Sequence, residues 1–304
     1  MPKTDKIKIL GAGPTGSLVA LSLSELGYDV VIYDTKSSIN IQNRSRAYAL
    51  TYSSRRLLID IGLWDEALTL MSPFNRVYIN DLYINKAFSF NSDDLPICIN
   101  RDSPVGWIIE HEKLIKFLHK KLEISSRIIP RFETETDLST EGFKYLVAAD
   151  GPNSSTRNSL GISSFSYNYR EACLTFKALI RGTSANTAYE FFTPDGPLAL
   201  LPIERDLYQI VWSSPYSICK KRELLSESAF LDRLSSVLPR HIQPDVLINK
   251  PMSFPSKVSL SLNQYRNRIL LIGEASHKYH PVGGQGLNIC WRDVYQLRIN
   301  FKKY

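Results

Sequence analysis

No apolar run in the 304 residues approaches the roughly 20 residues that a membrane-spanning helix needs, so no segment reads as transmembrane. Met1 to Lys6 is polar and the apolar stretch after it is broken by glycines, so a secretory signal peptide is not expected. Cysteine is scarce. Cys98, Cys173, Cys219 and Cys290 stand far apart and match no metal or redox spacing, which predicts a reducing compartment and no metal centre. Long blocks of one charge are absent as well. The net charge of +7 is scattered, with short clusters at Lys220-Lys221-Arg222 and Lys302-Lys303, so a nucleic-acid groove has nothing specific behind it. That charge fits attraction to an anionic membrane surface as well as plain solubility. No internal repeat or low-complexity segment is present. What remains, 43% hydrophobic and 22% charged, is ordinary for a globular chain long enough for two domains or one elaborated one.

The N-terminal pattern is the most specific local signal. Ile7 to Leu10 reads as a strand, Gly11-Ala-Gly-Pro-Thr-Gly16 follows at once, and a helix runs from Ser17 to about Leu26. Gly27 ends that helix, and Val30 to Tyr33 forms a second strand that delivers Asp34. This is a βαβ dinucleotide fingerprint in its required context. Gly11 permits the tight turn, Gly13 lets backbone approach a pyrophosphate, and Gly16 lets helix and strand pack closely. Asp34 stands where a carboxylate can accept hydrogen bonds from ribose hydroxyls. The nucleotide could be NAD or FAD. Arg46 follows the nucleotide half, where it either pairs with a phosphate or is a solvated loop arginine.

A second glycine loop lies near the other end. Ile269 to Ile272 is a buried-strand pattern, Gly273 and Glu274 form a turn, and His280-Pro281 leads to Gly283, Gly284, Gln285 and Gly286. Leu287 to Leu297 reads as a helix. A strand, a glycine loop and a helix N-terminus together present backbone N–H groups and a positive dipole end, suited to an anion or an electron-rich ring. The alternative is a tight turn into a core helix. His277 and His280 flank the loop; a histidine beside proline more often orients backbone than moves protons, so His280 and Pro281 are weak catalytic candidates.

Between these ends the chain alternates. Val77 to Ile99 is strand-like with hairpin interruptions. Glu112 to Leu122 shows helical spacing. Tyr145 to Ala149 is a strand ending in Asp150-Gly151, with Ser154 placed to cap the next turn and Arg157 behind it. From Ala172 to Trp212 the pattern is β-rich, then a helix spans roughly Leu224 to Val237 and a β stretch Met252 to Leu262. The expected fold is α/β: a Rossmann-like nucleotide domain with a parallel sheet and crossover helices, interrupted by a mostly β substrate domain with packed helices. The expected domains are 1–72, 101–165 and 266–304 for the first and 73–100 and 166–265 for the second.

Three motifs in this order, Gly11 to Gly16, Asp150-Gly151 with Ser154 and Arg157, and Gly273-Glu274 with His280-Pro281 through Asn288, resemble the single-component FAD-dependent aromatic hydroxylases built like para-hydroxybenzoate hydroxylase. Arg44-Ser-Arg-Ala47, Ala188 to Pro202 and His280 to Asp293 resemble the UbiH-like branch of ubiquinone biosynthesis. By that resemblance the first glycine loop holds the FAD pyrophosphate, Asp34 the adenosine ribose and Arg46 a phosphate. Glu110 matches a position close to the flavin nucleotide. The Asp150, Gly151 and Arg157 motif is implied to bridge FAD and the reduced nicotinamide. Glu274 would meet the ribityl chain, and Pro281, Gly283, Gly284, Gln285, Gly286, Leu287 and Asn288 would line the isoalloxazine ring.

The implied activity is hydroxylation of a prenylated phenol or quinone precursor with NADH or NADPH and O2, through a flavin C4a-hydroperoxide. A prenylated aromatic substrate lives in the bilayer, so a cytoplasmic location with peripheral contact at the membrane face is expected, or contact with a partner protein, and no nucleic acid. A prenyl reductase or halogenase of the same superfamily, or a C-terminally shortened accessory protein that binds FAD or lipid without turnover, are the alternatives. Glu274 stands where relatives usually have Asp, and Cys290 where they usually have Gly. Relatives also continue beyond the position of Tyr304 with further helices, which predicts exposed apolar surface near Ile289, Trp291 and Leu297.

Overall fold

A computed structural model describes residues 5–96, 103–280 and 282–302. Pro281 and Cys98 lie outside the described residues.

Short apolar strands feed a six-stranded sheet in the order Tyr265–Arg266, Ile269–Leu271, Tyr145–Ala148, Lys6–Leu10, Asp29–Tyr33, Ile128–Arg131. All its pairings are parallel except the Tyr265–Arg266 hairpin. Parallel strands bury both faces, and the side chains alternate accordingly. Ile7, Ile9 and Val147 enter the larger core, while Leu146, Ala148 and Leu10 pack with Ile162, Ile269 and Leu271 on the other side. The helix Pro14–Ser24 is almost wholly buried. It lies between the sheet and the helices His111–Ile124 and Gly286–Lys302, which is why its sequence is nearly apolar all round. This is the expected parallel sheet with crossover helices.

The second sheet is antiparallel over most of its width. Ser164–Arg181, an 18-residue strand, pairs with Leu207–Pro215, Met252–Ser261 and Gln243–Leu247. Gly196–Pro202, Thr187–Thr193, Arg76–Asp81 and Lys86–Asn91 continue it. One face is closed by the helices Tyr216–Glu223 and Glu227–Ser235, with Phe176, Tyr208, Trp212, Phe230 and Leu234 in the core between. The first of these helices was not expected; its apolar positions are too few to give a period, and packing of Cys219 and Arg222 holds it in place.

A three-stranded sheet of Ala47–Leu50, Gly106–Glu110 and Ser72–Phe74 sits over part of the large sheet's other face, through a cluster of Phe74, Ile108, Ala188 and Ile203. We retain the domain division of the sequence as a proposal; Ser72–Phe74 crosses its first boundary, and His277–Lys278 pairs with Ser259 and Leu260 of the large sheet. The predicted exposure at the C-terminal helix is corrected for Trp291, which is 1% exposed. Its ring is in the main core, and Leu297 packs against that core half-buried. Arg298 ties the same helix down by donating to the carbonyls of Ser22 and Asp60.

Candidate functional site

At the first glycine loop the backbone is pinched on one side and open on the other. A Cβ on Gly16 would stand 1.8 Å from the Gly11 carbonyl oxygen, whereas a Cβ on Gly13 would meet no atom within 4 Å. The Ala12 peptide between them is held at both ends. Its N–H donates to Asp34 Oδ2 at 2.8 Å, and its carbonyl accepts from Ser17 Oγ at 3.0 Å and from His119 Nε2 at 2.8 Å. A carbonyl only accepts, so His119 carries its proton on Nε2, and Nδ1 accepts from the Ser38 hydroxyl at 2.7 Å. Burial pushes the His119 pKa down, which keeps this neutral tautomer. Asp34 also accepts from the Lys36 N–H through Oδ1. Each carboxylate oxygen retains a second lone pair, so ribose hydroxyls can still be received.

Arg46 lies beyond the next loop, its guanidinium 5.0 Å from the Tyr48 ring centre. Its Nε is buried and has no partner among the described residues. A buried unpaired N–H is costly and asks for an acceptor. Tyr48 donates to His111 Nδ1 at 2.7 Å, and His111 Nε2 donates to the Ile41 carbonyl at 2.7 Å. Burial, with Arg46 and Arg44 nearby, pushes the His111 pKa down to about 4, so this strut is neutral and the positive charge at the loop belongs to the arginines. Glu110 is close by, lining a cavity of about 100 Å³ with Arg44, Ser45, Arg46 and Lys177. Both its oxygens are paired, one with Lys113 at 2.7 Å and one with Lys177. Burial raises its pKa, and the two lysines outweigh that and hold it below the usual carboxylate range. Glu110 therefore anchors the small sheet to the large one. Replacing Arg46 with Met should weaken FAD binding by about 10- to 100-fold, from a charged hydrogen bond worth about 1.5–3 kcal/mol. Flavin-fluorescence titration checks this, with the thermal midpoint of the FAD-free protein unchanged.

The Asp150 turn shows a split carboxylate. Oδ2 accepts from the Thr156 N–H at 3.1 Å and hydroxyl at 2.9 Å, while Oδ1 is buried with no partner among the described residues. Gly151, at φ +85°, leaves open space where a Cβ would be. Arg157 is 8% exposed and donates to the carbonyls of Ala275 and Pro152. Its guanidinium joins this turn to the Gly273 turn.

The second glycine loop is built around Asp293. One carboxylate oxygen receives the Gly273 N–H at 3.0 Å and lies 2.5 Å from His277 Nε2. His277 is buried and tied in this way, a role in shaping the turn. His280 Nε2 lies 3.8 Å from Glu171 Oε2, and its ring meets Tyr169 edge-on at 4.8 Å. Glu274 is half-buried in the turn, near Tyr48 and Cys290. Cys290 fills the space against Gly273, its Sγ 3.3 Å from where a Gly273 Cβ would stand, and burial pushes its thiol up to about 12.

Gly283 (φ +71°) and Gly286 leave open space, and Gly284 (φ +62°) abuts Ala49. The N–H groups that open the helix Gly286–Lys302 have no intrahelical acceptor. Gln285 folds back to donate to the Gly283 carbonyl. Leu287 packs half-buried against the main core. The Asn288 side chain points away from the loop. It accepts from the Thr51 N–H and the Ser54 hydroxyl and donates to the Ala49 carbonyl, so only its backbone is left to face a ligand.

These features fit FAD. The unpaired Arg46 N–H asks for an anion, the unpaired Asp150 oxygen asks for a hydroxyl, and the space over Gly13, Gly283 and Gly286 is where a ligand can lie against backbone. Sequence reasoning missed His119, Asp293 and the Ser38–His119–Ala12 chain. Asp293 closes the C-terminal motif and could have been read as a partner for a turn N–H; His119 had no signal beyond helical spacing.

The chain is similar to 3-demethoxyubiquinol 3-hydroxylase of Escherichia coli, 25% identical over 326 residues that take in 98% of this chain and 81% of that one. It is similar to the human mitochondrial ubiquinone biosynthesis monooxygenase COQ6, at 25% identity over 96% of this chain and 75% of that one. Its fold matches Pseudomonas aeruginosa PqsL solved with 2-aminobenzoylacetate, with a TM-score of 0.81 at 17% identity, covering 97% of this chain and 85% of that one. The FAD binding domain family matches residues 3–89 and 107–303, and the chain belongs to that family.

Proposed function

We propose that this protein is an FAD-dependent monooxygenase that hydroxylates the aromatic ring of a prenylated phenol or quinone precursor with NAD(P)H and O2. The observation that carries the reading is the open face of the large sheet. Its half-buried side chains Ile79, Ala199, Val211 and Thr175 form an apolar floor beside the C-terminal glycine loop, a surface for a flat ring and its hydrocarbon tail. The ubiquinone-pathway names of the relatives support the same substrate class.

When bound, FAD supplies the redox chemistry, taking two electrons from the nicotinamide and passing one oxygen atom of O2 to the ring. The chain's own contribution is placement and electrostatics. Arg46 and the backbone at Gly13 would hold the phosphates, and Asp34 and Asp150 the hydroxyl groups. The N–H groups at Gly286 and Leu287, with the helix dipole, favour negative charge on the reduced ring by about 1 kcal/mol. The sheet floor excludes water from one side. We place the protein in the cytoplasm, in peripheral contact with the membrane that holds the substrate.

The test is spectral and chemical. Purified protein given FAD should take on near-stoichiometric flavin absorption and should consume NAD(P)H and O2 together when a prenylated phenol is added, forming a product one oxygen heavier. Phenol-stimulated NAD(P)H oxidation that needs no O2 would instead establish a reductase, and the absence of bound flavin at saturating FAD would leave an accessory protein.

A further inference from the structure

On the open face of the large sheet the carboxylate of Glu190 stands in a row of mostly apolar side chains. Along Thr187–Thr193, Tyr189 and Phe191 point into the helix-covered core, so Ala188, Glu190 and Phe192 point the other way. In the sheet register Glu190 stands between Ile79 and Ala199, and the row continues through Val211, Thr175 and Met252. Glu190 is half-buried there, and no hydrogen bond or ion pair reaches its carboxylate among the described residues. Among the described residues the other charged or titratable groups of this face include Asp81, whose carboxylate accepts from the Tyr83 N–H, Lys86 opposite it, Glu171 beside His280, Cys173, Lys177, which is paired to Glu110, and Arg181, which is paired to Asp245. The thiol of Cys173, buried on the same face, is pushed up, foremost by burial and further by the charges of Glu171 and Glu190.

Two described points of the glycine loop, His280 and Gly284, border this face. Its His280 end rests on Tyr169 and Glu171 of the sheet. At its Gly284 end it abuts Ala49, which packs against the cluster of Phe74, Ile108, Ala188 and Ile203. Glu190 follows Ala188 on the same face by two residues, about 7 Å along the strand. It therefore stands on the same face that these two points border, in the row between those of Glu171 and Ala188.

Resting on the proposed hydroxylase reading, we propose that Glu190 is the catalytic base for the phenol. The proton leaves the phenol oxygen for a Glu190 carboxylate oxygen, and the released electron pair moves into the ring. The carbon ortho or para to that oxygen then forms the new C–O bond with one oxygen atom derived from O2 as the bond between the two oxygen atoms breaks, the second leaving with that bond's electron pair. The ring proton lost on rearomatisation goes to solvent, and NAD(P)H supplies the two electrons that take the second oxygen atom to water. Desolvation on the apolar floor pushes the Glu190 carboxyl up to about 7, near the pH at which a base both stays ionised and retains driving force.

The experiment uses the FAD-loaded enzyme with ortho-prenylphenol. Wild-type kcat/KM should fall on the acid side with a midpoint near pH 7, where Glu190 becomes protonated. E190Q should lower hydroxylation roughly 100-fold or more at pH 7.5, lose that acid limb, and rise only towards the phenol's own ionisation near pH 10. It should divert NAD(P)H consumption to H2O2, while FAD affinity and anaerobic reduction of the flavin stay unchanged. E190D should keep the acid limb at an intermediate rate, and thermal melts of both variants establish that they fold. E190Q with the wild-type rate and pH profile overturns the assignment of Glu190 while leaving the hydroxylase reading intact. Wild-type enzyme that holds FAD and oxidises NAD(P)H but adds no oxygen to the phenol overturns the hydroxylase reading and the base with it.

Discussion

Replacing Gly16 with Ala should leave the protein unable to hold FAD and poorly folded, whereas Gly13→Ala, three residues earlier, should lose the cofactor and keep the fold. The contrast follows from where each new methyl group would go. At Gly16 it would stand 1.8 Å from the Gly11 carbonyl oxygen and 3.3 Å from Ala149 Cβ. Both partners are fixed. The Gly11 N–H is bonded to the Tyr33 carbonyl at 2.7 Å, and Ala149 donates to the Leu10 carbonyl at 2.8 Å. The helix Pro14–Ser24 would have to move off the sheet, which opens the main core along Leu18, Val19 and Leu23. Overpacking against rigid backbone costs about 3 kcal/mol or more.

Gly13 has extended backbone at φ −70° and ψ −175°, which alanine adopts without strain. Its methyl group would enter open space on the side where the pyrophosphate must approach. A stability loss near 1 kcal/mol is expected from a poorer helix cap, with FAD affinity down at least roughly 100-fold, about 2.7 kcal/mol. Thermal melting with and without FAD, and flavin titration, separate the two effects. Wild-type FAD affinity in Gly13→Ala would mean that the cofactor does not lie over this loop.

Asn288→Ala should be among the most destabilising single changes outside the apolar core. The side chain is fully buried. Its Oδ1 accepts from the Thr51 N–H at 3.0 Å and the Ser54 hydroxyl at 2.6 Å, and its Nδ2 donates to the Ala49 carbonyl at 2.8 Å. Truncation leaves these buried groups unpaired, at about 1–3 kcal/mol each and less than additive, for roughly 3–5 kcal/mol in total. The thermal midpoint should fall by about 10 °C. The same change frees the start of the helix Gly286–Lys302 from the strand Ala47–Leu50, so flavin affinity should fall alongside. A midpoint within about 2 °C of wild type would show that water replaces the side chain.

How much of this was legible beforehand depended on how local each cause was. The strand, glycine loop and helix at Lys6–Ser24 were readable because each glycine's reason is a contact within a few residues or a universal need of the βαβ turn. Asp34 was readable as the acid ending the next strand. Its hydrogen bond to the Ala12 N–H was not, because a strand's end says nothing about which peptide it will meet. Arg157 was read as part of a ligand bridge, and the structure directs its guanidinium to two carbonyls. Asn288 was read as lining the ring, and its side chain turns to partners in the segment from Ala49 to Ser54. Trp291 was expected at an exposed surface, and the helix rotates it into the core between Pro14–Ser24 and Tyr52–Asp60.

By itself, then, the sequence determined the βαβ unit, the two glycine loops and the order of motifs that places the chain among FAD-binding proteins. These are statements about backbone geometry, written in glycine spacing and in apolar runs. Only the tertiary structure decided which polar side chains are struts and which are left for a ligand. Arg46 and Asp150 each keep a buried atom unpaired, while Glu110, Arg157 and Asn288 are satisfied within the chain. It also decided that Glu190 shares a floor with Cys173 and Val211, since the pairing of distant strands, and the desolvation it brings, sets both the direction a side chain faces and its affinity for a proton.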